Sequence, residues 1–136
     1  MQTKNKIIED QPVNIKLKLA SLWTSFMFLY IYVDYFALYM PGKIKGIMIG
    51  KIFMFNITPD FLLIAFISVS IPAIMILLSV LLNAKANRLL NIIIAFIYIP
   101  YTLFNLAGEA WLHMVLGALI EVTILFMIIR NAWMWK

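Results

Sequence analysis

The sequence predicts an all-α membrane protein: a single domain, residues 1–136, built as an antiparallel bundle of four transmembrane helices with both termini cytoplasmic. Three observations predict it. First, 65% of the 136 residues are hydrophobic and only 12% are charged, against about 45–50% and about 25% in ordinary soluble domains. Second, the apolar residues gather in four runs, each near the ~20 residues that cross a ~30 Å hydrocarbon core at ~1.5 Å per residue. Third, Lys and Arg crowd the segments on one side of those runs. No alternating apolar and polar pattern points to a barrel, the other structure that satisfies its backbone inside lipid.

Span one is Leu17–Met40 and stops at Pro41-Gly42. Sixteen mostly polar residues precede it and it is too long for a signal h-region, so no cleavable leader is expected. The apolar stretch Gly46–Ile57 that follows is too short to span; it is expected on the outer surface, or tucked against the bundle as a lid. Span two is Phe61–Leu82. Thr58-Pro59-Asp60 supplies a capping hydroxyl, a first-turn proline and an acid at its start. Six residues, Asn83 to Arg88, four of them polar, then lead to span three, Leu89–Ala107, closed by Gly108. Span four is Trp111–Ile129, with Glu109 just before it and Arg130 just after. Both of the last connections are short enough to make neighbouring helices antiparallel.

Orientation follows from charge. With the N-terminus inside, the cytoplasmic side carries Lys4, Lys6, Lys16, Lys18, Lys85, Arg88, Arg130 and Lys136, and the outside carries Lys43, Lys45 and Lys51. Eight against three favours cytoplasmic termini and a multi-pass location in the cell (inner) membrane. The formal charge of +5 therefore points to lipid headgroups rather than nucleic acid. The partners expected are the lipid bilayer and, because four short spans bury little interior, a second copy or a subunit of a membrane complex.

Polar residues within the spans carry what functional signal there is. A carboxylate at the bilayer centre costs roughly 2.5–3.5 kcal/mol on insertion scales, so such groups face protein and often mark function. Asp34 and Glu121 are the two clear cases, and His113 is the sole histidine. At helical spacing the polar residues form one stripe per span: Trp23, Met27, Tyr30 and Asp34; Ser68, Pro72, Met75 and Ser79; Asn91, Ala95, Tyr98, Thr102 and Asn105; His113, Gly117 and Glu121. Counted from the outer ends, Asp34 and Thr102 lie ~9 Å deep. Glu121, Tyr30 and Tyr98 lie ~15 Å deep, while Asn105 and His113 sit near the mouth. The reading is an outward-opening pocket. In it Asp34 and Glu121 bind a proton or small solute, hydrogen-bonded to Tyr30 and Tyr98, with His113 as an outer relay. Desolvation favours the uncharged form of a buried carboxyl, which makes both acids candidate proton sites. The alternative is that these residues only glue helices together, as small and polar residues commonly do in membranes, in a non-catalytic accessory or assembly subunit.

Enzyme signatures are missing. There is no HExxH, no GxSxG, no phosphate-binding glycine loop and no paired histidines for haem or metal. Without Cys, disulfides, thiolate metal sites and Cys nucleophiles are excluded. No catalytic residue, metal or cofactor is expected.

The runs Lys18-Leu19-Ala20-Ser21-Leu22-Trp23 and Met27-Phe28-Leu29-Tyr30-Ile31-Tyr32-Val33-Asp34, the Pro41-Gly42 stop, Ser70 to Ser79, and Asn87-Arg88-Leu89-Leu90-Asn91-Ile92 resemble a family of small bacterial four-span membrane proteins of unknown function. The resemblance covers spans one to three well and span four less distinctively. It implies a bacterial membrane location and the same four-helix fold, and carries no activity, ligand or site residue with it. By size and span count alone there is a looser similarity to DoxX-type four-helix proteins, an analogy of fold only.

Overall fold

The structure, a computed structural model, describes residues 11–108 and 110–135. The charges assigned to Lys4, Lys6 and Lys136, and the acid Glu109 ahead of span four, lie outside the described residues. The described chain runs α1 (Ile15–Ala37), α2 (Lys43–Met48), β1 (Lys51–Ile52), β2 (Phe55–Asn56), α3 (Pro59–Leu81), α4 (Ala84–Phe104) and α5 (Leu112–Trp133). The helices α1, α3, α4 and α5 are each long and apolar enough to cross a membrane.

Capping chemistry sets where they begin. The Asn14 side chain accepts from the Lys16 amide at 2.9 Å, Thr58 Oγ1 from the Phe61 amide at 3.2 Å, and Asn83 Oδ1 from the Ala86 amide at 3.0 Å. Each satisfies a backbone donor that the first helical turn leaves free. Asn83 starts α4 five residues ahead of the expected Leu89, because a capped helix tolerates Lys85, Asn87 and Arg88 in its first turns although they are polar. At the other end of α1 the helix closes at Ala37, short of Met40. Leu38 to Met40 form turns, consistent with the restriction that Pro41 places on the residue before it. Likewise α4 ends at Phe104 rather than Ala107, and α5 continues past Ile129 to Trp133.

The stretch Gly46–Ile57 does not span. It contributes to α2 and forms a two-stranded antiparallel hairpin pairing Lys51 with Asn56 and Ile52 with Phe55. Phe53, at the hairpin tip with φ +52°, lays its ring on Gly108 in the α4–α5 connection. A Cβ at Gly108 would stand 2.0 Å from Phe53 Cε2, and φ there is +99°, a backbone region open to glycine at little cost.

Helix α1 packs between α3 and α5, while α4 lies along α5 and touches α3 more sparsely. At the centre Trp23, Phe26 and Tyr98 meet edge-to-face, with centroids 5.8–6.4 Å apart, a favoured arrangement for aromatic quadrupoles. The α3 helix buries only Pro72, Met75 and Ser79, and leaves Ile64 and Phe66 about 70% exposed. So wide an apolar exterior suits a helix whose free surface faces lipid.

One end of the helix set is pinned by cations. Lys16 Nζ donates to the carbonyls of Leu82 at 2.6 Å and Val80 at 3.3 Å, at the C-terminal, partially negative end of α3. The Arg88 guanidinium lies 5.9 Å from the centroid of the Trp133 ring, within cation–π range. The N-terminal ends of α1 and α4 therefore meet the C-terminal ends of α3 and α5. Lys16→Met keeps the aliphatic stem and removes the donor. It is expected to lower stability by about 0.5–1 kcal/mol, read as a drop in melting temperature in detergent, whereas Lys18→Met, at an exposed position, should change it little.

Helices α1 and α5 come close at Gly117, where an added Cβ would collide with Val33 Cγ2. Val33 is β-branched and has little rotamer freedom with which to move aside. Gly117→Ala is thus expected to cost about 1–3 kcal/mol by overpacking, and Val33→Ala in the same chain should recover much of the loss.

Candidate functional site

Three helices converge on one polar cavity at the end of the molecule away from Lys16. It is lined by Tyr30, Val33 and Asp34 of α1, by Thr102, Asn105 and Leu106 at the end of α4, and by Met114, Ala118 and Glu121 of α5. The periodicity of the helices places them there. Tyr30 and Asp34 are one turn apart, as are Thr102 and Asn105, and Met114, Ala118 and Glu121 follow 3–4 spacing. Small Gly117 and Ala118 let α1 come close, and Val33, packed on Gly117, carries its neighbour Asp34 towards Glu121.

The cavity holds about 10 Å³, the scale of a single water molecule. Its floor is Glu121, 3% exposed, and Thr102, 1% exposed. Its mouth is formed by Asp34 and Asn105, both exposed on the chain, although protein atoms crowd the Asp34 carboxyl. The two carboxyl groups are near enough to interact electrostatically, and Thr102 lies beside Glu121. The Thr102 hydroxyl nevertheless has no hydrogen-bond partner of good geometry among the described residues. Among the described residues no Lys or Arg lines the cavity, so none of them gives the acids a counter-charge there.

Of the seven residues picked out from the sequence, Asp34, Glu121, Tyr30, Thr102 and Asn105 line this cavity, and Tyr98 and His113 do not. The expected hydrogen bonds from the acids to Tyr30 and Tyr98 are not made. Tyr30 Oη donates to Tyr101 Oη at 3.2 Å, and Tyr98 Oη donates to the Ser68 carbonyl. The reason is directional. Long side chains on a helix lean towards its N-terminus, so each tyrosine turns away from the residue one turn further on, Asp34 in one case and Thr102 in the other.

The tyrosines instead build a hydroxyl chain. Tyr101 Oη meets Ser68 Oγ at 3.0 Å, and Ser68 Oγ donates to the Ala65 carbonyl at 2.7 Å. Because Ser68 spends its proton on a carbonyl, Tyr101 must be the donor to Ser68. The chain runs one way, from α1 through α4 to α3, and ends on backbone.

His113 belongs to a separate open groove of about 370 Å³ beside Phe36, Tyr39, Met40 and Trp111. Its ring centroid is 6.3 Å from that of Trp111, and its Nε2 is buried without a partner among the described residues. The expected relay from His113 to Glu121 is not in contact. Eight residues at about 100° each rotate the two positions roughly 80° apart on the helix, a drift that simple 4-spacing conceals.

A second polar cluster escaped the sequence reading as a unit. Trp23, Ser79, Asn87 and Asn91 are all 0% exposed. Trp23 Nε1 donates to Asn91 Oδ1 at 2.7 Å, and Ser79 Oγ donates to the same oxygen at 3.3 Å. Asn91 Nδ2 donates to the Asn87 carbonyl at 2.8 Å and to Asn87 Oδ1 at 2.6 Å, and Asn87 Nδ2 donates to the Ser79 carbonyl at 2.6 Å. The cluster ties α1, α3 and α4 together and consumes nearly all its own hydrogen-bonding capacity, so it fastens helices rather than receives a ligand. The 4-spacing of Asn83, Asn87 and Asn91 was the available signal. Hydropathy alone places Asn87 in a connection.

A family described as a family of unknown function (DUF6326) matches residues 5–136, and the chain belongs to it. No curated protein and no solved structure matches the chain.

Proposed function

We propose that this chain is a multi-pass protein of a bacterial inner membrane, an antiparallel four-helix bundle with both termini cytoplasmic, acting as a small transporter-like or permeation protein that binds a proton between Asp34 and Glu121. The topology rests on Lys16, Lys18, Lys85, Arg88 and Arg130 at the pinned end, against Lys43, Lys45 and Lys51 beyond the other end of α1. The function rests on one observation: carboxyl side chains from two helices share a water-sized cavity that, among the described residues, no basic side chain lines. Intramembrane acids so placed are a recurrent feature of proton sites. The volume favours a proton over a larger solute, since small-molecule pockets run to about 300–1,000 Å³. Towards the pinned end the polar groups are neutral and bonded to one another, so the acids form an outward half-site that a second copy would extend.

Proton flux into liposomes tests the reading, with wild type set against Asp34→Asn and Glu121→Gln. Mutants that conduct like wild type, or that lose stability with flux unchanged, would sink it and leave packing as the role of the acids.

A second reading, an accessory or assembly subunit, draws on the exposure of Asp34. A carboxyl on the surface of a membrane-length helix calls for cover from another chain. This reading replaces the first if wild type conducts no protons and Asp34→Asn loses a co-purifying subunit.

A further inference from the structure

We infer that the cavity between α1, α4 and α5 is a binding site for a desolvated, sodium-sized monovalent cation, held by the carboxylates of Asp34 and Glu121, Thr102 Oγ1 and the amide oxygen of Asn105. It rests on the reading above that this cavity is the functional site, and gives that site a second ligand.

The donor set is the first argument. Every polar side chain lining the cavity offers oxygen, and no His, Cys or Met sulfur other than the thioether of Met114 is present. The hydroxyl of Tyr30 is committed to Tyr101. Oxygen-only sites suit hard cations. Among the described residues no group of three or more His, Cys, Asp and Glu is placed to hold a metal ion, so charge alone does not separate monovalent from divalent ions here and size must.

Thr102 supplies the second, independent argument. A threonine within a helix ordinarily returns its hydroxyl to the carbonyl four residues back, and two in this protein do so. Thr24 Oγ1 donates to the Ala20 carbonyl at 2.9 Å, and Thr123 Oγ1 to the Leu119 carbonyl at 2.7 Å. Thr102 does not. Its Oγ1 is buried in the lining of the cavity, within reach of the Glu121 carboxyl but without a hydrogen bond of good geometry among the described residues. Leaving a buried hydroxyl without a well-formed bond is unfavourable, and a cation in the cavity would use its lone pair.

Size and access are the third. About 10 Å³ is room for one water or one ion of similar size. A magnesium ion that keeps several of its waters does not fit. Asp34 and Asn105, exposed at the mouth, can take the ion while it is still partly hydrated. Glu121 and Thr102 then replace its remaining water at the floor.

The test uses the purified full-length chain in detergent at constant ionic strength, with choline exchanged for sodium, potassium, calcium or magnesium as chlorides. Wild type is expected to show a saturable rise in melting temperature with sodium, weaker with potassium, and to retain radioactive sodium on equilibrium dialysis. Thr102→Val should weaken sodium by about tenfold or more, and Thr102→Ser should retain it. Both leave the carboxyl groups of Asp34 and Glu121 in place, so the sodium readout is the one that decides. If Thr102→Val fails to fold, Thr102→Ser and direct sodium binding to wild type decide the matter. Equal effects of sodium and potassium, a stronger effect of calcium or magnesium, or no sodium retained by wild type would each overturn the inference. Glu121-dependent proton flux without any sodium effect defeats the cation site alone. A Thr102-dependent sodium effect without proton flux defeats the proton reading alone.

Discussion

Glu121→Gln is expected to bring proton flux in reconstituted liposomes down to background, the largest functional effect of any single substitution in this protein. Glu121 is 3% exposed and forms the cavity floor. Gln is nearly isosteric, so it preserves the contacts of α5 with α1 and α4, yet it cannot exchange a proton. Asp34→Asn should reduce flux less steeply, because Asp34 sits at the accessible mouth, where water can stand in for part of its role. The two substitutions act on one site, so the double mutant should be no worse than Glu121→Gln alone. A pH-sensitive dye inside the liposomes gives the flux, and a melting curve of the same preparation shows whether the fold survived. Residual flux in Glu121→Gln close to wild type would remove Glu121 from the pathway.

Asn91→Leu is expected to produce the largest loss of stability, about 2 kcal/mol or more. Among the described residues, the substitution strips the sole acceptor from Trp23 Nε1 and from Ser79 Oγ, and the sole donor from Asn87 Oδ1. All these groups are fully buried. Full desolvation costs for each would sum to more. In membranes, however, interhelical hydrogen bonds average about 0.6 kcal/mol, because the unfolded chain also finds partners in lipid. The estimate stays above that mean because one residue serves three neighbours. Asn131→Leu is the control: its amide donates only to the Met127 carbonyl of its own helix, near the surface, and its loss should be nearly silent. Denaturant midpoints in mixed micelles that coincide for the two variants would show that the cluster does not fasten α1, α3 and α4.

Particular residues explain how much of this was legible beforehand. The membrane-length helices follow from apolar runs, and Thr58-Pro59-Asp60 marks the start of α3 because a cap is a local device that needs no tertiary partner. The start of α4 was placed late because hydropathy counts Asn87 as a polar connector. Three-dimensional packing makes it a buried donor to Ser79. Spacing groups Asp34, Glu121, Thr102 and Asn105 together, and all four line one cavity, but only Glu121 and Thr102 are interior; Asp34 and Asn105 are exposed at its mouth. His113 was grouped with them by counting in fours, which ignores the 3.6-residue turn. Spacing and depth both place Tyr30 and Tyr98 with the acids, but the lean of a helical side chain sends their hydroxyls one turn the other way.

The amino-acid sequence by itself determined the number and approximate extent of the membrane-length helices, the side that carries the positive charge, and which few polar residues must avoid lipid. Those are consequences of solvation and helical period, properties each segment possesses alone. Only the tertiary structure decided the partnerships. The close approach of α1 to α5 over Gly117 brings Asp34 to Glu121. The direction of the tyrosine hydroxyls leaves those acids without a tyrosine partner. The Trp23–Asn91–Asn87–Ser79 cluster, built from three helices, has no counterpart in any one of them. Hydrogen bonds and ion sites depend on distances of a few tenths of an ångström between groups far apart in the chain, and only packing sets those distances.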